Sequence, residues 1–147
     1  MTGADDRHAI DALVDAFFRL FSNRDGATPS LQAIFDLCIP QAVICKCAGS
    51  APEVMSLQSF IAPRQELLTS GTLIDFAEVE TAGETRVFGS IAQRVSTYTK
   101  AGVLDGAPFH GRGVKLFQFV KTPHGWRISA VAWDDERDGF TVPDALR

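Results

Sequence analysis

The chain has 147 residues, one domain's worth, and its 46% hydrophobic and 22% charged residues are enough to bury about two-thirds of the unfolded surface, which excludes a disordered or fibrous polymer. Fourteen basic side chains against eighteen acidic ones give a net charge of -4, without the clustered positive charge that a nucleic-acid binder needs. No apolar run reaches the ~18 residues of a membrane span, and the opening Met1-Thr2-Gly3-Ala4-Asp5-Asp6-Arg7 lacks the basic and apolar stretches of a secretory signal.

These features predict a cytoplasmic protein with one domain over 1–147, its core at about 5–137 and a tail at 138–147. From Asp5 to Asn23, Ile10, Leu13, Val14, Phe17, Leu20 and Phe21 fall at the three-and-four spacing of one helical stripe. Asn23-Arg24-Asp25-Gly26 stops that helix, and Thr28-Pro29 opens a short second one carrying Leu31, Ile34 and Phe35, which ends by Pro40. A short strand is predicted over 42–47. Ser56 then caps a third helical region with Leu57, Phe60, Ile61, Leu67 and Leu68, which Pro63 is expected to kink or split. After Gly71, β-branched and aromatic residues dominate and the punctuation becomes that of hairpins. Strands are predicted at about 73–82, 85–100, 112–121 and 126–134, with turns at Gly83-Glu84, Asp105-Gly106 and Pro123-His124, and a bulge at Gly89. Helices first and a meander afterwards is the α+β pattern: N-terminal helices packed on one face of a strongly curved antiparallel sheet.

Residues directly opposed in an antiparallel pair share a face, so each turn fixes its neighbours. A tight turn at Pro123-His124 sets Lys121 against Trp126, Phe119 against Ile128 and Lys115 against Ala132. Asp105-Gly106, as a type I′ turn, sets Tyr98 against Gly113, Ser96 against Lys115 and Arg94 against Phe117, although Pro108 fits a paired strand poorly. The predicted inner face then carries Asp75, Arg94, Tyr98, Lys115, Phe117 and Asp134 as ligand-pocket candidates. Asp75 with Arg94, and Asp134 with Lys115, either neutralise each other or contact a ligand. The outer face would carry Gln93, Val95, Leu116, Gln118, Val131 and Trp133. Helices can cover only one face, so this second face is expected to pair with another copy of the chain.

Cys38, Cys45 and Cys47 are an odd count with no disulfide framework, and they read as small apolar residues in a reduced compartment. His8, His110 and His124 are scattered without ligand spacing, and neither a glycine-rich phosphate loop nor a nucleophile elbow occurs. No metal and no cofactor is expected.

Over residues 5–137 the pattern resembles the nuclear transport factor 2-like superfamily, which also contains ketosteroid-isomerase-like and SnoaL-like enzymes. The resemblance rests on the opening helix, Ile34-Phe35-Asp36 before a strand, the helical region from Ser56 to Ser70, the strand Gly89-Ser90-Ile91-Ala92-Gln93-Arg94, and above all the final hairpin from Gly113 to Trp133. It implies a cone-shaped α+β barrel, a small apolar ligand in the mouth of the cone, and a homodimer paired through the sheet. Enzymes of this fold often set a pocket acid beside histidine or tyrosine, whose proton exchange burial makes possible. None of the histidines here lies on an inward strand position. The expectation is therefore a small-molecule-binding protein acting as a cofactor-free isomerase, hydratase or dehydratase on an apolar ligand. The alternative is a non-catalytic protein-interaction or ligand-sensing module of the same fold.

Overall fold

The computed structural model describes residues 3–49 and 51–147; Met1 and Thr2, which entered the reading of the chain's start, and Ser50 lie outside them. Helix α1 (Gly3–Arg19) carries Asp5 and Asp6 in its first turn, where carboxylates suit the positive end of the helix. It buries Ile10, Val14, Phe17 and Phe18 along one stripe. Just beyond it, Asn23 acts as a clamp. Its side chain donates to the carbonyls of Leu68 at 3.0 Å and Leu73 at 2.7 Å and accepts from the Phe76 amide at 2.8 Å, tying three segments together.

A 3-10 turn over Leu31–Asp36 precedes strand β1 (Cys38–Lys46), and a short β2 (Glu53–Met55) leads into helix α2 (Leu57–Thr69). Ser56 caps α2 by accepting from the Ser59 amide at 3.2 Å. Pro63 neither splits α2 nor ends it: the helix runs through it, and Pro63 faces solvent, where water can serve the carbonyl that its missing N–H leaves free. Gln65 then pins α2 to the 3-10 turn, accepting from the Leu31 amide at 2.8 Å and donating to the Pro29 carbonyl at 2.9 Å. Among the described residues no helix is long and apolar enough to cross a membrane.

The remaining strands are β3 (Leu73–Phe88), β4 (Ile91–Leu104), β5 (Ala107–Thr122) and β6 (Gly125–Asp135). The described residues form a six-stranded sheet in the order β2-β1-β6-β5-β4-β3. Its neighbours are antiparallel except β1 and β6, which are parallel, so the sheet is mixed and open where a purely antiparallel one was expected. The α+β class stands, with the helices on one face.

The predicted hairpin at Gly83-Glu84 does not exist. Strand β3 runs through both residues to Phe88, and the chain turns at Gly89-Ser90, where Gly89 takes a φ of 57°. The Asp105-Gly106 turn forms, with φ of 51° and 80° at its two residues, and the β4–β5 register pairs Arg94 with Phe117, Ser96 with Lys115 and Tyr98 with Gly113, as the turn requires.

Three irregularities change which side chains face inward. In β3 the register slips around Asp75, which adopts a φ of 51°, and again around Thr81. In β6, Ser129 is an extra residue: Phe119 pairs with Ile128, but Gln118 pairs with Ala130. Beyond it the alternation is inverted, so Val131, only 1% exposed, and Trp133 face the helices rather than the outer surface. Asp135 turns inward and Asp134 outward.

The core joins the α1 stripe to Tyr98, Phe117, Phe119, Trp126 and Ile128. Opposite it, the last residues fold back over the outer face. The Val142 amide donates to Glu136 Oε2 at 2.7 Å, the Thr97 hydroxyl donates to the Leu146 carbonyl, and Thr97 under this tail and Val142 within it are buried.

Candidate functional site

A cleft of about 570 Å³ opens between α2 and the inner face of the sheet. Its apolar wall includes Phe21, Phe60, Leu68, Phe76, Phe109 and Trp133. Phe60 meets Trp133 edge to face at 5.8 Å, while Phe76 stacks on Phe109 at 6.3 Å. A larger groove of about 720 Å³ lies on the outer face beside the C-terminal tail, but Ala77, Ala101 and Gly111 line it without an aromatic wall. The interior cleft, with apolar walls and a few convergent charges, is the better candidate.

The polar groups of the cleft gather around Lys115. It projects inward from β5 between Ser96 on β4 and Trp133 on β6, and is 4% exposed. Its ammonium lies 3.5 Å from Glu78 Oε1, 4.1 Å from the Tyr98 ring centroid and 4.8 Å from the Trp133 ring. Burial pushes the Lys115 pKa below the usual lysine range, against the attraction of Glu78 and Asp135, which acts in the opposite direction.

Beside it, the Tyr98 hydroxyl donates to Asp135 Oδ1, and Lys100 Nζ donates to Asp135 Oδ2 at 2.8 Å. Burial, then the bond to Asp135, pushes the Tyr98 phenol far above its ordinary range, so it stays protonated. Burial on its own would raise the Asp135 carboxyl, but the hydrogen bonds from Lys100 and Tyr98 outweigh it and hold the group below the usual range. Gly113 makes this possible, since a Cβ there would fall against the Asp134 carbonyl oxygen and 2.6 Å from the Tyr98 hydroxyl.

Of the six ligand-pocket candidates, Lys115 alone lines the cleft. Tyr98 is fully buried behind it, with its hydroxyl committed to Asp135, and Phe117 is core at 1% exposure. Asp75 stands on the exposed β3 bulge, 3.7 Å from Arg24 and not beside Arg94. Asp134 faces outward to Arg137 at 2.8 Å. Arg94 belongs to a separate cluster: it donates to both Glu80 oxygens, at 2.9 and 2.5 Å, to Asp11 at 2.8 Å and to Thr85 at 2.8 Å. The bond to Glu80 raises its pKa. Of the outer-face candidates, Gln93, Leu116 and Gln118 are exposed and Val95 is half-buried, while Val131 and Trp133 are inside.

Sequence reasoning missed Glu78, Lys100, Asp135 and the α2 residue Arg64, all of which line the cleft. Gly113 was the available signal for Asp135, because a glycine inside a strand marks a close approach by another group. Glu78 carried none, since its direction depends on the Asp75 bulge. Cys38 is buried and its thiol is pushed up to about 12, which leaves it inert.

No family model matches the chain, and no curated protein matches it. Solved structures do. A nuclear transport factor 2-like superfamily protein from Salmonella enterica superposes with a TM-score of 0.76 at 15% identity, covering 97% of this chain and 99% of its own. A Novosphingobium aromaticivorans protein with a cystatin-like fold gives 0.70 at 19% identity, covering 98% and 88%. A second protein from that organism, described provisionally as an aromatic ring hydroxylase, gives 0.67 at 20% identity, covering 97% and 94%. The chain therefore has the nuclear transport factor 2-like, cystatin-like fold.

Proposed function

We propose that the protein binds a small apolar molecule in the cleft and moves a proton on it without a cofactor, as an isomerase, hydratase or dehydratase. The observation that carries this reading is the Glu78–Lys115 pair, 3.5 Å apart and set among aromatic rings at the cleft. Glu78 as carboxylate takes a proton from the carbon next to a ligand carbonyl. The Lys115 ammonium stabilises the oxyanion that develops, an interaction that gains strength where water is excluded. Returning the proton to a different carbon completes an isomerisation; delivering it from Glu78 to a β-hydroxyl, which then leaves as water, completes a dehydration. Lys100 and Tyr98 satisfy Asp135, so that carboxylate supports the floor of the site and does not compete for the proton.

The test uses 2-tetralone in D2O, with exchange at its α carbons followed by proton NMR. The protein is expected to accelerate exchange over buffer, and Glu78→Gln to reduce the acceleration by about 100-fold. No acceleration, together with saturable binding of the ketone, would replace the catalytic reading with the ligand-sensing one.

The same reading includes a homodimer through the outer face and a cytoplasmic setting. Phe88, Ile91 and Leu116 support the dimer, standing 82%, 58% and 52% exposed on that face with Gln93 and Gln118 among them. The free thiols of Cys38, Cys45 and Cys47 suit a reduced compartment. Sedimentation at micromolar concentration is expected to give twice the 15.9 kDa chain mass; particles of 15.9 kDa would remove the dimer.

A further inference from the structure

The ends of the cleft differ in how completely their charges are matched. Lys115 has Glu78, and Lys100 has Asp135. Arg64, on α2, has no such contact: Glu53 and Glu78 across the cleft attract its charge, but among the described residues its guanidinium makes one hydrogen bond, from Nη1 to the Phe60 carbonyl at 3.0 Å, within its own helix, and no ion pair. The rest of its planar fork is unsatisfied by protein. The group is nevertheless held in place, 4.2 Å above the Phe60 ring and 5.7 Å from the Trp133 ring, and burial lowers its pKa. Lys46, from β1, lines the same cleft and likewise has no ion pair among the described residues.

Four cationic side chains and three carboxylates line the cleft, so it carries a local positive excess inside a chain of net charge -4. A partly desolvated guanidinium with free donors, stacked on a ring and facing an aromatic-walled space, matches a planar anion bidentately. The Trp133 ring is within reach of both cations, 5.7 Å from Arg64 and 4.8 Å from Lys115.

We propose that the ligand is an aromatic or otherwise flat apolar carboxylate, its carboxylate held by the Arg64 fork with help from Lys46 and its body laid along Trp133 toward Lys115. This rests on the cleft being a small-molecule site, and it adds the anionic group that the site selects. The carboxylate then sets which carbon faces Glu78, making Arg64 a positioning residue.

The test is calorimetric titration with 2-naphthoate and its neutral isostere 2-naphthamide. The wild-type chain is expected to bind 2-naphthoate at least tenfold more tightly than 2-naphthamide. Arg64→Gln is expected to erase that preference while moving the affinity for 2-naphthamide less than twofold, and Arg64→Lys to keep part of it. Retained 2-naphthamide affinity in each variant shows that the cleft is intact. Equal affinity for the two probes in the wild type, or a preference that survives Arg64→Gln, overturns the carboxylate assignment and leaves the small-molecule site standing. Failure of both probes to bind overturns the site and this assignment together.

Discussion

Two polar clusters lie on the inner face of the sheet, and each is built over a glycine in the middle of a strand. At the first, the Arg94 guanidinium lies over Gly83, where a Cβ would come within 2.5 Å of Nη2, and its donors end on Glu80, Asp11 and Thr85. Ser96 completes the set by donating to Glu80 at 2.5 Å. At the second, Tyr98, Asp135 and Lys100 close over Gly113, and Lys115 beside them meets a carboxylate only at 3.5 Å and otherwise faces rings and the cleft. The residue types are nearly the same. What separates a brace from a site is whether hydrogen-bonding capacity is left over and whether a cavity is there to receive it.

The contrast can be broken by substitution, starting where the effect is largest. Lys115→Met alone leaves Glu78, whose side chain is 11% exposed, without its partner and is expected to cost about 3–5 kcal/mol in urea unfolding. Adding Glu78→Leu should recover most of that loss, and a single variant as stable as the wild type would show that the pair is not desolvated. Gly113→Ala comes next, at about 1–3 kcal/mol, because the new methyl meets a backbone carbonyl that cannot move away. Gly83→Ala should cost about the same, ~1–3 kcal/mol, because the Arg94 guanidinium in its way can move only by breaking its bonds to Glu80, Asp11 and Thr85. A Gly83→Ala variant as stable as the wild type would show that this cluster yields and is no brace.

The smallest effect is a pH dependence at a further carboxylate, on α1. Asp6 accepts from Trp126 Nε1 at 3.0 Å and from Lys121 Nζ at 3.1 Å, and these bonds hold its carboxyl below the unfolded value of 3.8. Below that value the unfolded chain binds the proton first. The stabilisation is therefore complete above pH ~4 and is lost as pH falls through the folded pKa. Asp135 contributes with the same sign. Melting temperatures recorded from pH 6 to pH 2.5 should fall less steeply for Asp6→Asn than for the wild type; parallel curves would remove the role given to Trp126.

Much of this architecture was legible because its signals are local. The helical stripe of α1, the Ser56 cap and the Asp105-Gly106 turn each rest on a few neighbouring residues, and the turn fixed the whole β4–β5 register from Ile91 to Leu104. The site was less legible because its parity accumulates along the chain. One extra residue at Ser129 exchanged Asp134 for Asp135 and brought Trp133 inside, and the Asp75 bulge turned Glu78 toward the cleft. Gly83 looked like a turn because glycine serves turns and close approaches equally well, and only the partner strand shows which applies.

The Ser129 bulge behaves like a shifted reading frame. Every side chain downstream of it keeps its side of the sheet because Ser129 and Ala130 together take one place in the alternation; with Ser129 deleted, Ala130 would follow Ile128 in that place, and Val131, Trp133 and Asp135 would stay inside. Inserting one alanine after Val131, where no bulge absorbs it, would instead expel Trp133 and Asp135 toward solvent and draw Ala132 and Asp134 in, a change that removes the aromatic wall and the acid of the cleft together. Such an insertion should abolish cooperative unfolding, whereas deletion of Ser129 should leave it intact.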